Sequence, residues 1–136
     1  MTEAGPQLCV GAVIVDDGRL LMVRRGHGPA AGTWSIPGGR VEHGETVAEA
    51  VVREVREETD IDAVCGPLLD CVERIDDEHH LVILDFRMEL LAPADPVAGS
   101  DATEAAWIAL EHVTDRHLAP GLAEFLADHG IIDELA

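Results

Sequence analysis

The amino-acid sequence predicts an α+β fold in which helices pack on a mixed β-sheet. The first observation is the order of the segments: apolar runs rich in β-branched residues lie on both sides of a long amphipathic stretch at residues 46–61. A second helical pattern lies near the end of the chain. The second observation is a tight-turn signal between the first two runs. Because 136 residues of uniform composition suit a single core, we expect one domain over residues 1–136.

The individual elements follow from local patterns. Apolar β-branched runs predict strands, clusters of Gly, Pro and Asp predict turns, and apolar residues three or four apart predict helices. In chain order, we predict strands at residues 7–15 and 19–25, a loop at 26–33, a short strand at 34–37 leading into a glycine loop, a helix at 46–59, strands at 61–75 and 80–91, a loop at 93–103, a strand at 104–110 and a helix at 118–129.

The turn signal is the pair Asp17-Gly18, which favours a hairpin between the first two strands. Arg24 and Arg25 end the second of these strands. One of the two arginines is a candidate for contact with a phosphate group. A solvated strand end is an equally good interpretation.

The central helix has a clear start and an unusual face. Thr46 followed by Glu49 forms a capping-box pattern. Glu54, Glu57 and Glu58 project within an arc of about 100°, beside the apolar stripe of the helix. A solvated charge belongs on the opposite side, where the wheel places Arg53, Arg56 and Glu49; we therefore expect those three residues in solvent.

Three neighbouring carboxylates repel one another unless a cation joins them. Hard divalent ions such as Mg²⁺ and Mn²⁺ prefer oxygen ligands of this kind. A metal site at Glu54, Glu57 and Glu58 is the simplest interpretation. The net charge of −18, with nine arginines and no lysine, agrees with it, because a protein this acidic needs cations to bind a polyphosphate.

Gly39, Glu45 and the run from Arg53 to Ile61 carry a recognisable spacing. After Pro37-Gly38, the chain reads Gly39, five residues, Glu45, seven residues, and then REVREETDI, which resembles the signature of the Nudix hydrolases. Asp60 departs from this signature, which has glycine there. Because that glycine follows the helix end in a left-handed conformation, we expect a small stability cost and an intact fold.

The resemblance implies a mixed β-sheet sandwiched between α-helices and a magnesium- or manganese-dependent pyrophosphohydrolase. It implies the following roles: Glu54, Glu57 and Glu58 as metal ligands together with the Gly38 carbonyl, Arg53 as the residue that orients the carboxylates, Glu45 as support of the loop, and Gly39 as part of the substrate site. Outside the signature, Asp101 and Glu104 lie where relatives place a further acid. We choose Glu104 as auxiliary ligand or general base; a solvated residue ahead of a strand is the equal alternative.

The substrate implied by the resemblance is a nucleoside diphosphate linked to another group, as in ADP-ribose. The alternative is a nucleoside triphosphate of the 8-oxo-dGTP type. The stretch at residues 119–122 disfavours this alternative because it lacks the asparagine that reads the oxidised base in such relatives. A non-catalytic nucleotide-sensing module is a third possibility, which we disfavour because the signature carboxylates are all present. A homodimer is left open.

The composition excludes several other classes. A chain at −18 offers no basic surface for nucleic acid or an anionic membrane. No apolar run is long enough to span a bilayer and no signal pattern is present, so we expect a cytoplasmic protein. Cys9, Cys65 and Cys71 have neither disulfide nor zinc spacing, and we interpret them as small core residues.

Overall fold

The computed structural model describes residues 5–28, 30–99 and 101–133. Residues 1–4, which belong to the segment tested for a signal pattern, lie outside the described residues. Within the described ranges, seven strands form one sheet that helices flank. The elements are β1 Gln7–Asp16, β2 Arg19–Arg25, β3 Trp34–Ser35, β4 Gly38–Arg40, α1 Val47–Thr59, β5 Ala63–Ile75, β6 His80–Leu90, β7 Ala102–Ala109, a 3₁₀ helix Leu110–Asp115 and α2 Leu122–Asp128.

Strand β1 is the centre of the sheet. It runs parallel to β6 and antiparallel to β2 and β4, which makes the sheet mixed as predicted. The order is β3-β2-β1-β6-β5, while β4 joins β1 and β7 joins β2. Gly11 of β1 lies between two register partners, Gly38 on β4 and Asp85 on β6. The residues Gly38 and Gly39, which we call the glycine segment, are therefore separated from the middle of β6 only by β1.

The core has two layers, one on each face of the sheet. Because side chains alternate along a strand, Val10, Ala12 and Ile14 face α1, whereas Val13 packs on the side of α2 and the 3₁₀ helix. Both layers contain fully buried aliphatic side chains. This arrangement confirms the predicted fold class of a mixed sheet between helices.

The hairpin turn is confirmed, and several element boundaries differ from the prediction. Asp17 and Gly18 have φ angles of 51° and 71°, as a tight type I′ turn requires. The predicted glycine loop contains a strand, β4, because its backbone pairs with β1. The strand predicted at residues 104–110 begins two residues earlier and passes directly into the 3₁₀ helix, which the sequence patterns missed.

The C-terminal helix α2 begins at Leu122, four residues later than predicted. Residues before it pair with β3 instead, since the Trp34 N–H donates to the His117 carbonyl at 2.8 Å and the Ala119 N–H donates to the Trp34 carbonyl at 2.9 Å. Gly121 then has a φ angle of 81°, which is left-handed and breaks any helix at that point. The helical spacing of apolar residues was misleading here because backbone hydrogen bonds to the distant residue Trp34 replace the first turn of the predicted helix.

The cysteines correct another prediction. All three are free, as expected, but only Cys9 is a buried core residue; Cys65 is half-buried and Cys71 is exposed. Cys71 lies on β5, which is an edge strand in the sheet of the described residues, so no further strand covers it on that side. In the part of the chain that the structure describes, no helix has the length and apolar character needed to cross a membrane.

Candidate active site

Helix α1 presents the acidic residues because its ends are fixed and its apolar face is buried. The capping box is present: Thr46 Oγ1 accepts from the Glu49 N–H at 3.1 Å, and Glu49 accepts from the Thr46 N–H at 2.9 Å. At the other end Asp60 has φ 60° and ψ 25°, the left-handed conformation expected there. The buried residues Val51 and Val55 then hold the helix against the sheet. We call Glu54, Glu57 and Glu58 the carboxylate cluster.

Glu58 is the most enclosed member of the carboxylate cluster. Its Oε1 accepts a hydrogen bond from the Gly38 N–H at 2.8 Å. Burial raises the pKa of the Glu58 carboxyl to about 7, and the bond from Gly38 only partly opposes this shift. The nearby charge of Glu54 also raises this pKa. A bound cation would therefore stabilise the ionised form of Glu58 strongly.

Glu54 lies directly against the glycine segment. Its side chain is 15% exposed, and burial raises the pKa of its carboxyl. A Cβ atom added at Gly39 would lie 2.5 Å from the Glu54 carboxyl group. Glycine at position 39 therefore leaves the space that the Glu54 carboxylate occupies, and a side chain there would displace this carboxylate. Glu57, in contrast, is 49% exposed and faces the open side of the cluster.

Arg53 lies at the centre of a hydrogen-bond network, and the prediction that it is a solvated residue is wrong. Its side chain is only 22% exposed. The guanidinium donates from Nε and Nη2 to the two Glu45 oxygens at 2.6 Å and 2.9 Å, and from Nη2 to the Arg40 carbonyl at 3.0 Å. Nη1 donates to Glu54 at 2.9 Å and Glu57 at 3.2 Å. Arg53 thus fixes two members of the carboxylate cluster relative to the loop.

Glu45 forms the other half of this network. Its bond from Arg53 lowers the pKa of the Glu45 carboxyl to about 2, with a further contribution from the Glu42 N–H, which donates at 2.9 Å. The same bond raises the pKa of Arg53. Both groups therefore stay charged at neutral pH, and the link between α1 and the preceding loop is permanent.

The residues fit a divalent metal by their chemistry. The carboxylate cluster offers hard oxygen donors, and the Glu54 carboxyl fills the space that the missing Gly39 side chain leaves. Burial raises the pKa of the Glu54 and Glu58 carboxyls, and the positive charges of Arg53 at Glu54 and Arg25 at Glu58 only partly oppose these shifts. Among the described residues, no three His, Cys, Asp or Glu side chains converge closely enough to hold a metal in the present arrangement. A metal held by the carboxylate cluster would therefore need these side chains to move closer together.

The two arginines at the end of β2 have different surroundings. Arg24 Nη1 contacts Glu104 Oε1 at 3.1 Å on the neighbouring strand β7, and both side chains are about half exposed. Arg25 instead lines the cavity beside Gly38 and Gly39, and its charge acts on Glu58. Of these two arginines, Arg25 is therefore the one that lines the cavity. The predicted role of Glu104 stays a prediction. Of the two acids considered there, Asp101 is the one whose charge raises the pKa of Glu58.

The loop between β6 and β7 is docked on the end of α1. The Val97 N–H donates to the Thr59 carbonyl at 2.8 Å, and the Gly99 N–H donates to the Glu58 carbonyl at 3.0 Å. A Cβ atom at Gly99 would collide with the Glu57 carbonyl oxygen. The Trp107 Nε1–H also donates to the Ala94 carbonyl at 3.0 Å. These contacts place Asp101 beside the carboxylate cluster.

A cavity of about 420 Å³ extends from the glycine segment across the face of the sheet that carries α2. Its volume lies within the range of small-molecule sites. The polar end is formed by Arg25, Gly38 and Gly39, while Leu81, Ile83, Leu122 and Phe125 give the other end apolar walls. The cavity thus has room for a molecule with a charged end at Gly38 and Gly39, which contact the carboxylate cluster, and an apolar end on the sheet.

A larger concavity of about 750 Å³ lies beside the hairpin turn, lined by Asp17, Arg19, Leu110 and Ile131 among others. It includes no residue of the carboxylate cluster or of the glycine segment. We therefore assign the chemistry to the smaller cavity.

Asp85 is the site residue that the sequence patterns missed. It lies on β6 at the floor of the cavity and is 6% exposed. The available signal was an acid within the apolar run HLVILDF, where a charged residue is unexpected. Gly11 accompanies it, because a Cβ atom at position 11 would collide with Asp85 Oδ1.

Comparisons with known proteins identify one family. The family model described as NUDIX domain matches residues 5–129. An ADP-ribose pyrophosphatase of Methanocaldococcus jannaschii is 34% identical over 110 residues, which cover 79% of this chain and 64% of that protein. An uncharacterised Nudix hydrolase of Bacillus subtilis is 31% identical over 122 residues, covering 85% of this chain and 73% of the relative. The chain thus spans slightly less than two thirds of the first relative.

A solved structure has the same fold. The crystal structure of a MutT Nudix hydrolase from Burkholderia pseudomallei superposes with a TM-score of 0.75 at 31% identity, covering 90% of this chain and 97% of that one. The predicted fold and the resemblance in the signature are both confirmed. The chain belongs to the Nudix family, whose members are pyrophosphohydrolases.

Proposed function

We propose that this protein hydrolyses the phosphoanhydride bond of a nucleoside diphosphate linked to another group, an ADP-ribose-like substrate, with Mg²⁺ or Mn²⁺. The observation that carries the proposal is the continuity between the carboxylate cluster and the cavity, which meet at Gly38 and Gly39. The name of the M. jannaschii relative, ADP-ribose pyrophosphatase, supports the same substrate class. A cytoplasmic location and a homodimer stay predictions.

The residues have separable roles in this reaction. Glu54, Glu57, Glu58 and the Gly38 carbonyl would hold the cation, which when bound neutralises diphosphate oxygens and lowers the pKa of water. Arg53 holds Glu54 and Glu57 in place from its network with Glu45. Gly39 lets the backbone approach the diphosphate, and Arg25 offers a positive charge there. Glu104 is the proposed auxiliary ligand or general base.

The bond changes are those of a hydrolysis without redox chemistry. The oxygen of water forms a bond to one phosphorus, and the bridging oxygen leaves with the other phosphate group. The water gives up one proton to a base and the leaving oxygen gains one, so that two phosphate monoesters result. The protein contributes charge and position to this displacement.

A nucleoside triphosphate of the 8-oxo-dGTP type is the alternative substrate. The turn at residues 119–122 lines the cavity, and it contains no asparagine. In fact the whole chain contains no asparagine. The asparagine that reads the oxidised base in such relatives is therefore absent from this chain, which favours the diphosphate-linked substrate.

The test is a substrate panel with Mg²⁺ or Mn²⁺ that contains ADP-ribose, other nucleoside diphosphates linked to sugars, ATP and 8-oxo-dGTP. Release of nucleoside monophosphate is measured for the parent and for Glu57→Gln. Glutamine keeps the size and loses the charge, so we expect turnover to fall by about two orders of magnitude or more with the fold intact. Arg56→Gln, an exposed change on the same helix, is the matched control.

Preferred hydrolysis of ADP-ribose, lost in Glu57→Gln, supports the proposal. Preferred hydrolysis of 8-oxo-dGTP would support the alternative substrate. Binding of nucleotides without turnover of any member of the panel would instead identify a sensing module.

A further inference from the structure

Asp85 is a buried acid that faces the cavity. The residue is 6% exposed, and its carboxyl takes part in no hydrogen bond between the described residues, although its oxygens are not among the fully enclosed polar atoms that lack a partner. Gly11 makes room for it on the neighbouring strand. Buried polar groups in native proteins normally have hydrogen-bond partners, and a group without one lowers the free energy of unfolding. A carboxyl that is retained there without a protein partner is suited to a donor on a ligand.

The position of Asp85 in the cavity indicates which part of a ligand it meets. The carboxylate cluster and Arg25 fix the diphosphate at the polar end. Asp85 lies on the floor formed by β1 and β6, beside the apolar side chains Ile83 and Val72. An apolar, deeply placed space suits a flat nucleobase, and polar atoms of such a base need partners inside it.

We propose that Asp85 determines base specificity by accepting a hydrogen bond from an exocyclic amino group of the substrate's nucleobase. This inference rests on the proposed function, in which the base is the adenine of an ADP-linked substrate. An ionised carboxylate is an acceptor only, so it binds an amino group and repels a keto oxygen at the same position. The site therefore selects amino-bearing bases over their keto counterparts.

The charges around Asp85 set the pH at which this selection operates. Burial raises the pKa of the Asp85 carboxyl to about 6, and the charge of Asp70 adds to this, while Arg74 and His129 oppose it. Cys9 and Arg25 are the other ionisable residues that line the cavity. Above pH 6 Asp85 is ionised and selects amino groups. Below pH 6 the neutral acid also donates, so a keto oxygen is accepted and the selection weakens.

The experiment compares ligands that differ in one group. Binding of AMP and IMP, which carry an amino group and a keto oxygen at the same ring position, is measured by calorimetry with Mg²⁺ at pH 7.5 and pH 5. Because a hydrogen bond to a charged group contributes strongly, we expect AMP to bind about tenfold to a hundredfold more tightly than IMP at pH 7.5. The ratio should fall at pH 5. The pairs CMP with UMP and GMP with IMP show which amino position is read.

Asp85→Asn is the decisive variant, because the amide keeps the size and both donates and accepts. Its AMP-to-IMP ratio should fall to nearly one at both pH values. Asp70→Asn is the matched control: Asp70 is an acid on the adjacent strand that pairs with His129 and does not line the cavity. This control should keep the preference of the parent at pH 7.5, and because the charge of Asp70 helps to raise the pKa of Asp85, it should keep more of that preference at pH 5 than the parent does. Thermal melting of both variants checks the fold.

An equal affinity of the parent for AMP and IMP, or no binding of either, would overturn the inference. So would an Asp85→Asn variant that keeps the preference. If instead the variant discriminated AMP from dAMP less than the parent did, with AMP-to-IMP unchanged, Asp85 would read a ribose hydroxyl and the inference would fail. Because binding requires no turnover, a failure of the proposed hydrolysis in the substrate panel is recognised separately.

Discussion

Arg53 shows how much one side chain organises in this site. It makes five hydrogen bonds that join Glu45, the Arg40 carbonyl and two members of the carboxylate cluster. A planar guanidinium can satisfy such divergent acceptors, because its donors point in fixed directions. The amino group of a lysine concentrates its donors at a single point. The planar shape of the guanidinium, in addition to its charge, is therefore required for the hydrogen bonds that Arg53 makes.

We expect Arg53→Lys to lower kcat by about tenfold to a hundredfold, the usual cost of losing a residue that orients metal ligands. The Mg²⁺ concentration needed for half-maximal rate should rise as well, because Glu54 and Glu57 are no longer held. Steady-state kinetics across a Mg²⁺ titration measures both. The control is Arg56→Lys, whose parent side chain is exposed and bonds to Asp62 alone at 2.7 Å. Equal kinetics for the two variants would show that Arg53 does not orient the carboxylate cluster.

Helix α1 is the element on which the site depends, and its C-terminal end carries a local strain. Asp60 adopts a left-handed conformation at φ 60°, and its N–H donates to the Arg56 carbonyl at 2.9 Å. A residue with a Cβ atom occupies this region at a cost that glycine avoids. The signature glycine is therefore missing at a position whose backbone still has the glycine conformation.

Asp60→Gly should raise the free energy of unfolding by up to about 1 kcal/mol, because the strain is relieved while the more flexible unfolded chain offsets part of the gain. Chemical denaturation, with the slope m compared between variants, measures the change. Asp62→Gly is the control: Asp62 has no left-handed backbone, so glycine there should only destabilise. A lower stability of Asp60→Gly would mean that the aspartate side chain contributes a specific contact.

At the scale of the whole molecule, the net charge of −18 and the buried acids both lower the stability of the folded chain. Burial raises the pKa values of Glu54 and Glu58, so each ionised carboxylate costs stability in the folded chain. A cation that binds only the folded protein stabilises it by RT ln(1 + [L]/Kd), about 2.7 kcal/mol at a hundredfold excess over Kd. A metal bound at the carboxylate cluster would therefore stabilise the fold.

The melting temperature should rise with added Mg²⁺ or Mn²⁺ beyond the rise caused by NaCl at matched ionic strength, which measures general screening. Glu54→Gln combined with Glu58→Gln should lose most of the metal-specific increment, and should melt no lower than the parent without metal because two repelling charges are gone. Differential scanning calorimetry gives both values. An equal increment from NaCl, or a full response of the double variant, would argue against a metal site in the carboxylate cluster.

The sequence predicted those features that depend on neighbouring residues. The capping box, the Asp17-Gly18 turn and the left-handed Asp60 all follow from a few adjacent positions. Features that depend on distant contacts were missed. A helical wheel gives the direction of the Arg53 Cα–Cβ bond but not the reach of its long side chain, which turns back to Glu45. The early residues of the predicted last helix pair with Trp34 instead, and no local pattern reveals that.

The backbone contacts between α1 and the loop before β7 have a consequence for dynamics. Val97 and Gly99 donate to the last carbonyls of the helix, which would otherwise lack partners. Their amide hydrogens can exchange with solvent only when the helix end opens, so this irregular segment belongs to the same cooperative unit as α1. Slow exchange at two loop amides would thus report on the order of the catalytic helix, even though neither residue takes part in the chemistry.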